Sequence, residues 1–384
     1  VNGDMEKDKT IRFVLVGGFL GAGKTTAIRR LGRMYRDRGQ RVGIVTNDQA
    51  AQLVDTQTLQ SDGFDVAEVS GACFCCNFDT LIAQVSELER RGAPDVVIAE
   101  PVGSCTDLAA TVIQPIVGLY GARFDVAPYV VLLKPSDARH ALGAARQGDM
   151  SDGATYIFRK QLEEADAVVM NRCDELSANE VNELTQLVET YLRDARVGAP
   201  DGDGVGTMCV SALTGDGFDD LLTYLDQRGV FGRRLLEIDY DRYADGEAEL
   251  GWLNGFADIR LMQPAVLGTF VQDLLAHAGL AVISAGGVVA HIKLIGVAGN
   301  DHTVCNLVSN RGDVTVAVPC ASPADRIELT INARVTMDPT ELEAQMRAAV
   351  TEFALQHVAT VTFGTMQSFR PGRPIPTHRF TMPA

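Results

Sequence analysis

The stretch Ile11–Thr26 reads IRFVLVGGFLGAGKTT, and its reading decides the fold of the first half of the chain. Ile11–Val16 is a short apolar run, the pattern of a strand buried on both faces. It ends in Gly17–Gly18, and the spacing G-x-x-x-x-G-K-T follows at Gly18, Gly23, Lys24 and Thr25. From Thr25 and Thr26 onward, TTAIRRLGRMYRDRG has a helical pattern. A buried strand, a glycine loop and a helix N-terminus form the context of a phosphate-binding loop. Its glycines let backbone N–H groups curve around phosphates, and the helix dipole adds to that field. The candidate nucleotide cradle is therefore Gly18, Gly21, Ala22, Gly23, Lys24, Thr25 and Thr26. Lys24 would reach the β- and γ-phosphates, and Thr25 would ligate Mg²⁺.

Further strands follow at α/β spacing. Arg41–Asp48 (RVGIVTND) and Asp95–Glu100 (DVVIAE) both end in polar residues, and Val126–Leu133, Ala167–Met170 and Met208–Val210 continue the set. Between the second and third strands, Leu81, Ile82, Val85 and Leu88 share one helical face. Strands alternating with helices predict an α/β fold with a mostly parallel sheet. Ligands of such sheets sit beyond the carboxyl ends of the strands. Asp48 and Glu100 fall on that rim with the glycine loop, as candidates to hold Mg²⁺, its waters or an attacking water.

Ala167–Leu176 reads AVVMNRCDEL, and Asn171-x-x-Asp174 follows a buried strand. The pattern resembles the N-K-x-D guanine motif of GTPases, in which the aspartate accepts hydrogen bonds from guanine's N1–H and exocyclic amine. Arg172 replaces the usual lysine, and its apolar stem and planar head preserve stacking over a base. Ser211–Ala212, after another strand, resembles the loop that touches guanine O6. Two motifs in this order favour GTP over ATP.

Composition bounds the function from outside. A chain of 384 residues is long enough for two independently cored domains. A net charge of −16, from 34 basic and 50 acidic residues, disfavours a nucleic-acid binder, whose affinity rests on Lys and Arg contacts to phosphate. The longest uncharged run, Leu274–Ile292, contains two histidines and Gly286–Gly287 and makes a poor membrane span. The first ten residues are polar and lack the apolar core of a signal peptide, so a cytoplasmic location is expected. Thiols stay reduced there, and the eight cysteines read as metal-binding, catalytic or buried.

Three of the eight crowd into Val69–Asn77, VSGACFCCN: Cys73, Cys75 and Cys76. Together with GFLGAGKTT, a Glu-x-x-Gly after the third strand at Glu100, and the N-K-x-D-like motif, this stretch resembles the CobW-type metallochaperone GTPases. They are relatives of the GTPases that insert nickel into urease and hydrogenase. The resemblance runs from about Ile11 to Asp226. It implies that Cys73, Cys75 and Cys76 bind a transition metal, Zn²⁺ or Co²⁺, under control of nucleotide state. It also implies delivery to a client metalloprotein or cofactor pathway, and a nucleotide-dependent homodimer is a further expectation. Ligand chemistry agrees independently, because soft thiolates suit Zn²⁺ and three protein ligands leave one tetrahedral position open for transfer. A structural zinc site or buried thiols remain the alternative.

Two departures stand out. Asn47–Asp48 replaces the family's Asn-Glu, and no histidine-rich tract is present. Cys105, in EPVGSCTDL just past Glu100, reads as a small loop residue or a conditional fourth ligand. Cys173, Cys209, Cys305 and Cys320 read as packing residues, and His302-x-x-Cys305 lacks the paired second motif of a metal site.

Residues 1–10 are read as a tail, 11–230 as the nucleotide domain and 235–384 as a smaller α+β domain. In the last of these, Trp252–Met262, Val288–Ile295, Val304–Val308, Arg326–Val335 and Ala359–Phe369 read as strands. Pro264–His277 and Asp338–Glu352 read as helices, the second opening on an Asp cap and a Pro. This β-α-β-β-α-β-like order predicts an antiparallel sheet with helices on one face. A GTPase chaperone guarding a corrinoid or other metal-cofactor enzyme, with a structural metal, is one rival function. A P-loop small-molecule kinase is the other.

Overall fold

A computed structural model describes residues 10–48, 59–60, 62–70, 73–143, 150–196, 206–310 and 313–384. The chain forms two compact units. The described residues up to Tyr240, together with Pro374–Ala384, form the first, and those from Asp241 to Arg373 form the second.

The first unit is built on β1 (Ile11–Gly18), β2 (Val42–Asp48), β3 (Asp65–Ser70), β4 (Val96–Glu100), β5 (Phe124–Val126), β6 (Val130–Leu133), β7 (Ala167–Met170) and β8 (Gly206–Cys209). Strand order is β3-β2-β4-β1-β6-β7-β8, with β5 also paired to β1. Every pairing among these described strands is parallel. β1 and β4 are buried along their whole length, which explains their largely apolar sequences, broken by Arg12 in β1 and Glu100 at the end of β4. The expected α/β fold with a mostly parallel sheet is what forms. Order reverses between β4, β1 and β6, and the glycine loop leaves β1 at that point, as binding sites of open α/β sheets do.

The helix Phe78–Gly92 buries Phe78, Leu81, Ile82, Val85 and Leu88, the face legible in its sequence. Each such side chain contributes about 1.5–3 kcal/mol on burial. That packing fixes the cysteine stretch, which runs directly into the helix's first turn. Two features were missing from the sequence reading. β3 lies between the second and third strands it named, and Val126–Leu133 is two strands, β5 and β6, separated by Ala127–Tyr129. Asp65–Ser70 is short and carries two acidic residues, so it lacks the apolar run that marks its neighbours.

The second unit has β9 (Gly251–Val266), β10 (Val288–Ala298), β11 (Asp301–Leu307), β12 (Val314–Val318), β13 (Pro323–Thr336) and β14 (Ala359–Phe369). The sheet order is β12-β11-β10-β13-β9-β14, antiparallel throughout. Helices Leu267–Ser284 and Pro339–Gln356 pack into one core with the sheet through Leu274, Leu275, Leu342 and Phe353. The Asp338 carboxylate caps the second helix, accepting from the Thr340 and Glu341 amides at 2.9 and 3.3 Å. β12 is a strand the sequence reading lacked, and Pro264–Val266 ends β9 rather than opening the helix. Among the described residues, Leu267–Ser284 is the helix long and apolar enough to cross a membrane, and its buried half lies in this core.

Candidate nucleotide and metal site

The glycine loop has the backbone that its sequence requires. Gly18 and Gly23 have φ of 136° and 88°, where an L side chain is strained. A Cβ on Gly18 would stand 2.3 Å from the Leu132 carbonyl oxygen, and one on Gly23 would stand 2.4 Å from Asn171 Nδ2. The helix Lys24–Asp37 starts immediately after, with no acidic residue in its first turn and no side-chain cap. Its first N–H groups are thereby left to a ligand, which suits phosphate. Lys24 is buried, its Nζ donating to the Gly18 and Phe19 carbonyls at 2.9 and 3.3 Å. Its ammonium is held on the rim of the loop it would serve. Thr26 lies half-buried in the same first turn.

Thr25 donates its hydroxyl to Glu100 Oε1 at 2.9 Å. Two hard oxygen donors from β4 and the helix start converge there, a set that fits Mg²⁺. Asp48 ends β2, paired with Ser70 of β3, but its side chain lies outside the described residues. Beyond Glu100 the chain folds back over the phosphate loop, and a Cβ on Gly103 would stand 3.0 Å from Lys24 Nζ.

That following segment, residues 101–108, is gripped from the helix Asp152–Glu164. Gln161 Nε2 donates to the Gly103 and Cys105 carbonyls at 2.9 and 2.7 Å. Glu164 accepts from Thr106 Oγ1 at 3.2 Å and from the Ala109 amide at 3.0 Å. Sequence reasoning missed both residues, which lie on a helix 55–58 positions from their partners. Burial pushes the Glu164 carboxyl up to about 8, against the Ala109 amide that lowers it. The folded chain therefore keeps a proton that the unfolded chain loses near 4.5. Stability from this group is present below pH 4.5 and is lost as pH rises toward 8. Glu164→Gln is expected to flatten that slope, by an amount on the order of a few kcal/mol across the window. Melting curves of both proteins from pH 5 to 8 test it, and parallel curves would contradict it.

The residues expected to read the base lie at the ends of β7 and β8. Asn171 donates through Nδ2 to the Ala22 carbonyl at 2.8 Å and accepts from the Ala212 amide at 2.9 Å. It ties the phosphate loop to the Ser211–Ala212 turn. Ser211 is fully buried, and its Oγ accepts from the Thr214 amide at 3.0 Å. Arg172 has φ of 64° and reaches the Gly21 carbonyl at 3.4 Å. Asp174 stands exposed on the turn Cys173–Glu175, with its carboxylate at the surface. Cys173 and Cys209, half-buried, meet here through a side-chain hydrogen bond. Cys305 is fully buried in the second unit's core.

The three cysteines converge. Cys73 Sγ lies 2.8 Å from Cys75 Sγ and 3.1 Å from Cys76 Sγ, and Cys75 and Cys76 are 3.7 Å apart. The turn closes through Cys76 and Asn77 amides donating to the Cys73 carbonyl at 3.1 and 3.0 Å. Asn47 anchors it from β2, accepting from the Phe74 amide at 2.9 Å and donating to the Val69 carbonyl at 2.9 Å. The sequence reading placed Asn47 in the Asn47–Asp48 pair at the end of the second strand and gave it no role at the thiol turn. Hydrogen bonds from Cys105, Cys75 and Cys76 hold the Cys73 thiol well below its ordinary range. Those bonds push the protons left on Cys75 and Cys76 upward, the latter to about 11. Each thiol must give up its proton to serve as a metal ligand. In a tetrahedral zinc site sulfurs stand about 3.8 Å apart, from Zn–S bonds of about 2.3 Å. The trio matches that set after opening by less than about 1 Å. Cys105 is buried on the loop after β4, beside Cys73.

The chain is similar to known proteins over part of its length. The chain is 29% identical over 167 residues to the Zinc chaperone YeiR of Escherichia coli, covering 42% of this chain and 46% of that one. It is 28% identical over 192 residues to the Zinc chaperone CobW of a Sinorhizobium species, covering 43% and 51%. The chain spans about half the length of the curated relatives it matches. Among solved structures, nickel-bound HypB of Helicobacter pylori aligns at 16% identity and TM-score 0.39, over 58% of this chain and 93% of that one. Zn(II)-bound YjiA GTPase of E. coli aligns at 15% identity and TM-score 0.37, over 88% and 99%. Residues 12–198 match the family model described as CobW/HypB/UreG, nucleotide-binding domain.

Proposed function

We propose that this protein is a GTP-hydrolysing metallochaperone, carrying a transition metal on Cys73, Cys75 and Cys76 toward a client metalloprotein or cofactor pathway. The observation that carries the proposal is the convergence of three sulfurs within 3.7 Å on a turn anchored by Asn47, one residue before Asp48. Zn²⁺ is the first choice of cargo, since the relatives matched are named zinc chaperones, and Co²⁺ follows from the same soft donors. Lys24, the loop amides and the helix N-terminus hold the phosphates. Thr25, Glu100 and Asp48 serve Mg²⁺ and the attacking water, while Asp174 reads guanine with Ser211 and Ala212 at O6. Hydrolysis acts as a switch, and the protein works in the cytoplasm, where its thiols stay reduced.

The test is a Co²⁺ titration of the reduced protein in each nucleotide state. One stoichiometric site with sulfur-to-cobalt charge-transfer absorption is expected, and its absence would overturn the metal reading. Base choice is tested separately by Asp174→Asn. An amide presents a donor where guanine also has one, whereas xanthine offers a carbonyl. GTP should weaken by about tenfold or more while xanthosine triphosphate gains. Unchanged preference would make Asn171–Asp174 an ordinary loop.

A further inference from the structure

The residues that follow β14 and the short link to 373 belong to the first unit, where Pro374–Ala384 runs across the thiol turn. The Ile375 amide donates to Cys76 Sγ at 3.2 Å. Thr377 donates twice, through its amide to the Cys75 carbonyl at 2.9 Å and through Oγ1 to the Cys76 carbonyl at 3.1 Å. The His378 ring packs edge-on against Phe78, with centroids 5.2 Å apart. The same segment then crosses to the loop after Glu100. Arg379 Nε donates to Asp107 Oδ2 at 2.7 Å, and the Phe380 amide donates to the Ala110 carbonyl at 2.9 Å. Asp107 is buried, at φ 64°, and also accepts from the Tyr240 hydroxyl at 2.7 Å. One strap therefore bonds both the thiol turn and the loop that abuts Lys24.

We infer that Pro374–Ala384 is the outer wall of the metal site and its latch, with Ile375 a positioning residue for Cys76 and the Arg379–Asp107 pair setting how fast metal leaves. The inference rests on the metal-carrying reading and adds a specific route of control to it. An amide N–H on a thiolate sulfur stabilises its charge and fixes its direction, as outer partners of metal ligands do. With Ile375 and Thr377 seated, metal exchange requires the strap to lift. Lifting it separates Arg379 from a buried carboxylate, which would leave that charge with less compensation. Asp107 lies four residues beyond Gly103, so movement of this loop with the γ-phosphate would pull on the latch. The strap therefore makes metal release depend on nucleotide.

The test compares wild type with Arg379→Ala and Ile375→Pro, each loaded with one equivalent of Zn²⁺ or Co²⁺. Zinc release is followed with a chromophoric chelator in excess. Arg379→Ala should release zinc about tenfold faster, the effect expected from losing one charge-assisted hydrogen bond, with GTP affinity unchanged. Ile375→Pro removes the N–H donor and should shift the sulfur-to-cobalt band to lower energy, a signature that general loosening would not give. Wild type failing to hold either metal would sink the underlying reading. Wild type holding metal, with both variants matching its release rate and band position, would overturn the strap. Should one variant fail to fold, the other decides.

Discussion

Replacing Cys73, Cys75 and Cys76 together by serine is expected to abolish the stoichiometric Zn²⁺ or Co²⁺ site while leaving GTP binding largely intact. The three sulfurs lie within 3.7 Å of one another, two of them buried, and serine hydroxyls are hard donors that do not deprotonate in the working pH range. The turn itself should survive, because it is closed by Cys73's carbonyl and by Asn47 rather than by sulfur. Equilibrium dialysis at micromolar metal reads the result directly. In the wild type, affinity should rise with pH through the thiol range, since each ligand must lose a proton. Full metal binding by the triple variant would reduce the cysteines to packing residues.

Lys24→Ala is expected to lower GTP hydrolysis by about a hundred- to a thousandfold, the cost of removing one preorganised charge from a phosphoryl transition state. Lys24 contributes no apolar core, and its ammonium donates to the loop carbonyls of Gly18 and Phe19. The melting temperature should therefore change little. Phosphate release measured beside a thermal melt separates lost catalysis from lost fold. Hydrolysis near the wild-type rate would remove the phosphate loop from the account.

What the sequence made legible and what it hid divide along physical lines. The glycine loop, β1, β4, β7 and the helix Phe78–Gly92 were readable because their determinants are local: an apolar run, a glycine spacing or one helical face. The thiol cluster was readable for the same reason, as three cysteines in four positions. β3 escaped because Asp65 and Glu68 break its apolar pattern. Asn47, Gln161 and Glu164 escaped because each acts through hydrogen bonds to backbone far along the chain, and no periodicity marks such a residue. Ile375 and Cys76 are 299 positions apart, joined by a main-chain donor that every non-proline residue carries.

Gly103 stands against Lys24, Cys105 against Cys73, and the carbonyls of Gly103 and Cys105 both accept from Gln161, so one segment touches the phosphate loop and the thiol turn. A ligand that moves this segment changes the energy of the other site, and by linkage the reverse holds. The deciding measurement is the Zn²⁺ dissociation constant, by competition with a calibrated chelator, in protein bound to a non-hydrolysable GTP analogue with Mg²⁺ and in protein bound to GDP. Zinc is expected to bind more tightly in the GTP-like state, by roughly 5–150-fold. Equal affinity in the two states would make the zinc structural and contradict the chaperone reading.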